Sequence, residues 1–297
     1  MVMKNFVLGT AQLGSDYGVA NKSGKPNQKM ATEIIKLAWQ KGIREFDTAQ
    51  GYGSEVILGK AFTKLGISKK VKVTTKLHPS LDHLDERSIS KSLDRSLKNL
   101  GVPIISTILL HHEESLTLWN KGLADILKDL VTLGKVERIG ISVYSPQAAR
   151  KAIQTKGLQV IQVPFNIFDR RFEEAGIFNL ARQKKKEIYI RSVFLQGLLL
   201  LNPDDLPKLV RPARSIIIKF RDLAEKLGLS PRELALAYVR TKRPLDKVIL
   251  GVDTSKQLEE NCKIWKLKIP SSVLDLVEEK LQKIDKKIIN PTLWKKT

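Results

Sequence analysis

Cysteine is almost missing from this 297-residue chain. Cys262 stands alone, so neither an intramolecular disulfide nor a cysteine-built zinc site can form, which fits a reducing compartment. Histidine is scarce as well: His78, His83, His111 and His112 lack the HExxH spacing, and no metal is expected. Long apolar runs are absent. The stretch Val193–Leu201 contains Gln196 and falls far below the ~20 residues of a membrane helix, so a span is excluded. The start, MVMKNFVLGTAQLG, lacks the features of a signal peptide, and a cytoplasmic protein is expected. Acids are few against bases, 31 Asp and Glu to 52 Lys and Arg, which gives a formal net charge of +21 and a field that attracts anions. The basic residues rarely cluster without interleaved acids. The densest runs, Lys184–Lys186 and Lys286–Thr297, carry no aromatic ladder for stacking bases, so solvated side chains explain the excess better than nucleic acid does.

With 42% hydrophobic residues, a large core is available. Short β-branched runs alternate with segments of helical period from end to end. The strand candidates are Phe6–Thr10, Glu45–Thr48, Val71–Lys76, Thr107–His111, Arg138–Val143, Val160–Pro164, Glu187–Val193 and Lys247–Gly251. Between and after them the period predicts helices over Lys29–Lys41, Ser54–Leu65, Glu86–Leu100, Leu118–Leu133, Pro146–Thr155, Glu173–Lys185, Arg214–Leu227, Pro231–Thr241 and Ser255–Trp265. Several close on a glycine, as at Gly66 and Gly101. Parallel neighbours require right-handed crossovers, so this alternation predicts an α/β fold, a (β/α)8 TIM barrel of parallel strands. No Pro, Gly or Ser-rich linker divides the chain, and one domain over residues 1–297 is expected. A doubly wound sheet would need a glycine-rich loop after its first strand; GTAQLG does not have that spacing, nor is there a P-loop.

A barrel of this type builds its site at the carboxyl ends of its strands. There stand Asp47, with Tyr52 five residues on in DTAQGYGSE, then Lys76, then His111 and His112. An acid, a phenol, an ammonium and an imidazole suit proton transfer to a carbonyl oxygen. A nearby Lys76 would lower the phenol pKa of Tyr52, Asp47 would keep that lysine charged, and a neutral histidine would orient the substrate. Taken singly, each side chain is more ordinarily a packing or solvated residue; together, at consecutive strand ends, they point to chemistry. Trp119, Phe165, Phe168 and Phe194 are candidate apolar walls, and the loop Ser15–Pro26 is placed to fold over the mouth, with polar residues that would suit a sugar or hydroxylated aldehyde.

The segments FVLGTAQLG, GIREFDTAQGYGSE, KVKVTTKL, ILLHH, GKVERIGIS, IQVPFN, IRSVFLQGLL and VILGVDTSKQLEEN together resemble the aldo/keto reductase family over nearly the whole chain. That resemblance implies a barrel binding NADP(H) in an extended form, an aldehyde, ketone or sugar as substrate, and a catalytic tetrad matched by Asp47, Tyr52, Lys76 and His111. It also implies cofactor contacts at Gly9, Thr10 and Ala11, at Ser142 and Gln162 for the nicotinamide carboxamide, and at Arg191, which replaces a stacking tyrosine. Ser192, Phe194 and Gln196, within Ser192–Gly197, would line the pyrophosphate; Glu260 and Asn261 match adenine contacts. The positions that many NADP-preferring members fill with Lys, Ser and Arg are here Gly251, Val252 and Gln257, so NAD(H) is the alternative coenzyme. Two other functions are compatible with the sequence, a nucleotide-sensing accessory barrel with little turnover and a polyanion binder driven by charge; oligomeric state is not legible.

Overall fold

The computed structural model describes residues 3–242 and 245–294; Met1, Val2 and the end of the basic tail, Lys295 to Thr297, lie outside the described residues. Eight parallel strands close a barrel in sequence order: β1 (Phe6–Gly9), β2 (Glu45–Asp47), β3 (Lys72–Lys76), β4 (Thr107–Leu110), β5 (Ile139–Ser142), β6 (Val160–Pro164), β7 (Glu187–Arg191) and β8 (Lys247–Gly251), with β8 paired to β1. Strands covered on both faces can be apolar throughout, and β1, β4 and β6 are buried at every position.

Pairing register decides which side chains point inward. Val7, Leu109, Val160, Tyr189 and Ile249 form a cluster separate from the large core between strands and helices, as expected of a barrel interior. Side chains alternate along a strand and parallel partners share a face. Asp47 pairs with Gly9, two residues beyond Val7; Lys76 pairs with Leu109; Ser142 pairs with Gln162, two beyond Val160. These four polar residues therefore all face inward near the upper end of the barrel. At the lower end, Lys247 meets Glu45 at 2.6 Å, and Arg138 donates to Glu187 at 2.8 Å and to the Tyr189 hydroxyl at 3.0 Å.

The helices in chain order are α1 (Ala11–Gly14), α2 (Gln28–Gln40), α3 (Glu55–Leu65), α4 (Glu86–Leu100), α5 (Leu123–Thr132), α6 (Pro146–Gln154), α7 (Arg171–Glu174), α8 (Ile177–Gln183), α9 (Arg214–Lys226), α10 (Pro231–Thr241), α11 (Ser255–Ile264), α12 (Ser271–Lys280) and α13 (Lys286–Ile289). Two of the expected helices and two of the expected strand ends need correction. The helix expected over Leu118–Leu133 begins only at Leu123, because Gly122 sits at φ +119° and breaks it from the tighter turns before it. The helix expected over Glu173–Lys185 is two, divided at Gly176 with φ +70°. The strands expected to reach His111 and Val193 stop at Leu110 and Arg191, where the chain turns into the upper loops. Helices α1, α12 and α13 were not expected: α1 and α13 span only four residues each, and the amphipathic pattern of α12 follows the last strand. Among the described residues no helix is long and apolar enough to cross a membrane.

Candidate active site

Asp47 and Lys76 face each other from the ends of β2 and β3. Lys76 Nζ donates to Asp47 Oδ1 at 2.6 Å and to the Thr48 carbonyl at 2.8 Å, and both side chains are almost wholly removed from water. Gln162 Nε2 donates to the other carboxylate oxygen at 2.8 Å. Each oxygen of the carboxylate thus has a donor, which is what lets a charge persist in the interior.

Tyr52 is brought over this pair by the turn Gln50–Tyr52, which follows β2. Gln50 anchors that turn by accepting from the His78 N–H at 2.7 Å and donating to Ser96 Oγ at 3.0 Å. The turn also rests on α1: a Cβ at Gly14 would stand 2.0 Å from the Tyr52 carbonyl oxygen, so only glycine permits this approach. Lys76 Nζ lies 5.1 Å from the centre of the Tyr52 ring. His111, immediately after β4, meets the same ring edge-on at 5.7 Å, while His112 is exposed. The imidazole Nδ1 of His111 is buried without a partner.

Burial dominates the protonation of this group. It pushes the Tyr52 phenol well above its ordinary value, Asp47 adds to the rise, and Arg191 opposes it. The expected lowering by Lys76 does not occur, and the physical reason is that desolvation of the phenolate and the nearby carboxylate outweigh the opposing Arg191 charge. Burial likewise lowers the Lys76 ammonium, with Asp47 opposing. His111 is pulled down to about 3 by burial first and then by the Lys76 charge, so its imidazole is neutral at ordinary pH.

A cavity of ≈ 200 Å³ opens beside Asp47 and Tyr52, with Lys76 and His111 behind its lining. Of the residues singled out in the sequence, Gly9, Thr10, Ala11, Asp47, Tyr52, Gln162, Arg191, Ser192, Phe194, Gln196, Gly251 and Gln257 line it. Ser142 stands behind Arg191, accepting from its Nε at 3.3 Å, and the guanidinium stacks on Tyr144 at 4.0 Å. Glu260 and Asn261 are outside the lining and meet it through Arg232, whose NH1 donates to Asn261 Oδ1 at 3.0 Å and whose Nε lies 3.6 Å from Glu260. Of the four aromatic candidates for walls, Phe194 alone lines the cavity. Trp119 donates to the Lys156 carbonyl, Phe165 packs on Phe178 and Tyr238, and Phe168 packs on Phe220.

Ser192, Leu195 and Gln196 all hold positive φ, 61°, 49° and 55°, followed by Gly197 at 91°. They fold a tight turn at the cavity rim in which the Leu195 N–H donates to the Ser192 carbonyl and the Gly197 N–H to the Phe194 carbonyl, each at 2.9 Å. The loop Ser15–Pro26 does come over the mouth: the Val19 N–H donates to the Gln196 carbonyl at 3.0 Å, and Tyr17, Gly18, Ala20 and Asn21 join the lining. Among the lining residues that sequence reasoning missed, Gln12, Arg232 and Asp253 are the polar ones and Leu200, Ile249 and Leu250 the apolar ones. Gln12 was readable as the next residue of GTAQLG, whereas Arg232 lies on α10, far from any strand end.

A pyridine nucleotide fits these residues on one observation above all. Gln162 Oε1 is buried beside Asp47 with no hydrogen-bond partner, an acceptor in want of an amide donor of the kind a carboxamide carries.

Comparison with known proteins agrees with the geometry. The model of the aldo/keto reductase family matches residues 5–282. Aldo-keto reductase YhdN of Bacillus subtilis is 28% identical over 264 residues, covering 80% of this chain and 78% of that protein. The NADH-specific methylglyoxal reductase of Escherichia coli is 25% identical over 314 residues, covering 94% and 95%. In fold, a solved Pseudomonas aeruginosa aldo-keto reductase superposes with a TM-score of 0.66 at 21% identity, covering 88% of this chain and 89% of its own. This chain belongs to the aldo/keto reductase family, and it is an NAD(P)-dependent oxidoreductase acting on carbonyl groups.

Proposed function

We propose that the chain reduces the carbonyl of a small aldehyde, ketone or sugar, reversibly, with Tyr52 as the general acid. A bound reduced pyridine nucleotide would supply the hydride. What carries the reading is the packing of the Tyr52 ring between the Lys76 ammonium, 5.1 Å from its centre, and the edge of the neutral His111 ring at 5.7 Å.

Each residue then has a task. Tyr52, held protonated by burial, is in the form that gives a proton to the carbonyl oxygen. The cost of the phenolate left behind is offset by Lys76, whose charge Asp47 and the Thr48 carbonyl hold in place. His111 donates its ring N–H to the carbonyl oxygen without bringing a charge of its own, which fixes the approach of the carbonyl. Gln162, through its free Oε1, and Ser142 hold the carboxamide end of the nucleotide; Arg191 presents a flat cation to the ring. Gly9, Thr10 and Ala11 form the floor, and the segment Ser192–Gly197, which lines the same cavity, receives the pyrophosphate.

The test is Tyr52→Phe. Positioned acid catalysis contributes ~10²–10⁴-fold, so turnover of a small aldehyde should fall by about that factor while nucleotide binding, read by fluorescence, persists. Unchanged turnover would remove Tyr52 from the reaction.

A further inference from the structure

The cleft has two ends. Asp47, Tyr52 and Gln162 stand at one, and Gln12, Gly251, Asp253, Gln257 and Arg232 at the other, in a single cavity. If the reading above holds, a dinucleotide with its pyridine ring beside Tyr52 must extend its other half to this far end, where the lining carries one cation, Arg232; Lys256, next to Gln257, is exposed and stands outside the lining.

At position 251 a side chain would have to displace the end of the Gln12 side chain. A Cβ there would stand 2.2 Å from Gln12 Oε1 and 2.4 Å from Gln12 Nε2, so the Gln12 carboxamide fills the space into which a basic side chain would start. Gln257 is folded back onto the chain, its Oε1 accepting from the Asp253 N–H at 2.8 Å and its Nε2 donating to Asp253 Oδ2 at 3.4 Å. Asp253 Oδ1 is buried and has no hydrogen-bond partner. Arg232, the cation of this end, is already engaged by Asn261 and Glu260, and with Asp253 and Glu260 beside it the trio carries a formal charge of +1 − 2 = −1.

We propose that Asp253, with Gln12 packed on Gly251, makes the far end select an unphosphorylated ribose, so that this chain uses NAD(H) in preference to NADP(H). A ribose 2′-hydroxyl is a donor and satisfies the orphaned Oδ1. A 2′-phosphate offers mainly acceptors and brings up to about two negative charges against a carboxylate in a place shielded from solvent.

The experiment is a fluorescence titration of the purified full chain with NADH and with NADPH, repeated on Asp253→Asn. In parallel, 5′-ADP and 2′,5′-ADP compete for bound NADH on the unaltered chain, which needs no variant and no turnover. A hydrogen bond to a charged group is worth roughly tenfold or more in affinity, so NADH should bind at least about tenfold tighter than NADPH, and 5′-ADP should displace it better than 2′,5′-ADP. Asp253→Asn should shrink the ratio by about tenfold, since an amide removes the repulsion and can donate to a phosphate. NADPH binding as tightly as NADH on the unaltered chain, or a ratio indifferent to Asp253→Asn, would overturn the selection while leaving the reductase reading in place. Failure of both nucleotides to bind would overturn the two together.

Discussion

The buried Asp47–Lys76 pair shows how one residue's environment sets its chemistry. Removing a single partner of such a pair leaves an uncompensated charge in the interior, which costs about 3–5 kcal/mol. Lys76→Met should therefore lower urea stability by roughly that amount, as well as abolish turnover; a midpoint unchanged from the parent would contradict the burial of the pair. Protonation gives a second prediction. With its pKa raised, Tyr52 stays protonated through neutral pH, so carbonyl reduction should be nearly flat across about pH 6–8, whereas alcohol oxidation, which needs the phenolate to take a proton, should rise with pH. Initial rates in both directions decide it. His111 has the opposite bearing on stability. Its folded pKa of about 3 lies below the ordinary 6.5, so the unfolded chain binds more protons between them. The stabilisation from neutral His111 is complete above about pH 6.5 and is lost as pH falls toward 3; His111→Asn should flatten that part of the pH–stability curve.

At the scale of elements, two loops from different parts of the chain make one wall. The Ser15–Pro26 loop meets the loop after β7 through the Val19 to Gln196 hydrogen bond, and a Cβ on Gly197 would come within 2.5 Å of Ala20 Cβ at a backbone φ of 91°. Gly197→Ala should push the two loops apart and reshape the turn at the cavity rim, leaving the barrel intact. We expect nucleotide affinity to fall about tenfold with little change in thermal midpoint, measured by titration and by melting. The sequence made both loops visible, because the first follows β1 and the second carries the RSVFLQG run. Their contact was not visible, since it joins backbone atoms whose meeting depends on how β7 and β1 are carried round the barrel.

For the molecule as a whole, the +21 net charge is a long-range field rather than a site. Nucleotide and many sugar-derived substrates are anions, so association should be steered. Raising ionic strength from about 0.05 M to 0.5 M should slow nucleotide association severalfold with a smaller change in dissociation, as stopped-flow fluorescence would show. The placement of the site follows from the same scale: β2, β3, β5 and β6 end at one mouth because parallel strands in a closed barrel all point the same way.

The linear chain by itself determined the alternation of strands and helices, and so the barrel, because hydrophobic period and glycine stops are local properties. It also determined which chemical groups stand at the strand ends, since topology alone makes consecutive ends neighbours. Only the tertiary structure decided the direction of the Tyr52 shift, because desolvation depends on everything packed around the phenol and no spacing records it. It alone decided the character of the far end of the cleft as well. Gln12 and Gly251 come from opposite ends of the chain, and the closure of β8 onto β1 brings the carboxamide of one into the space left by the other.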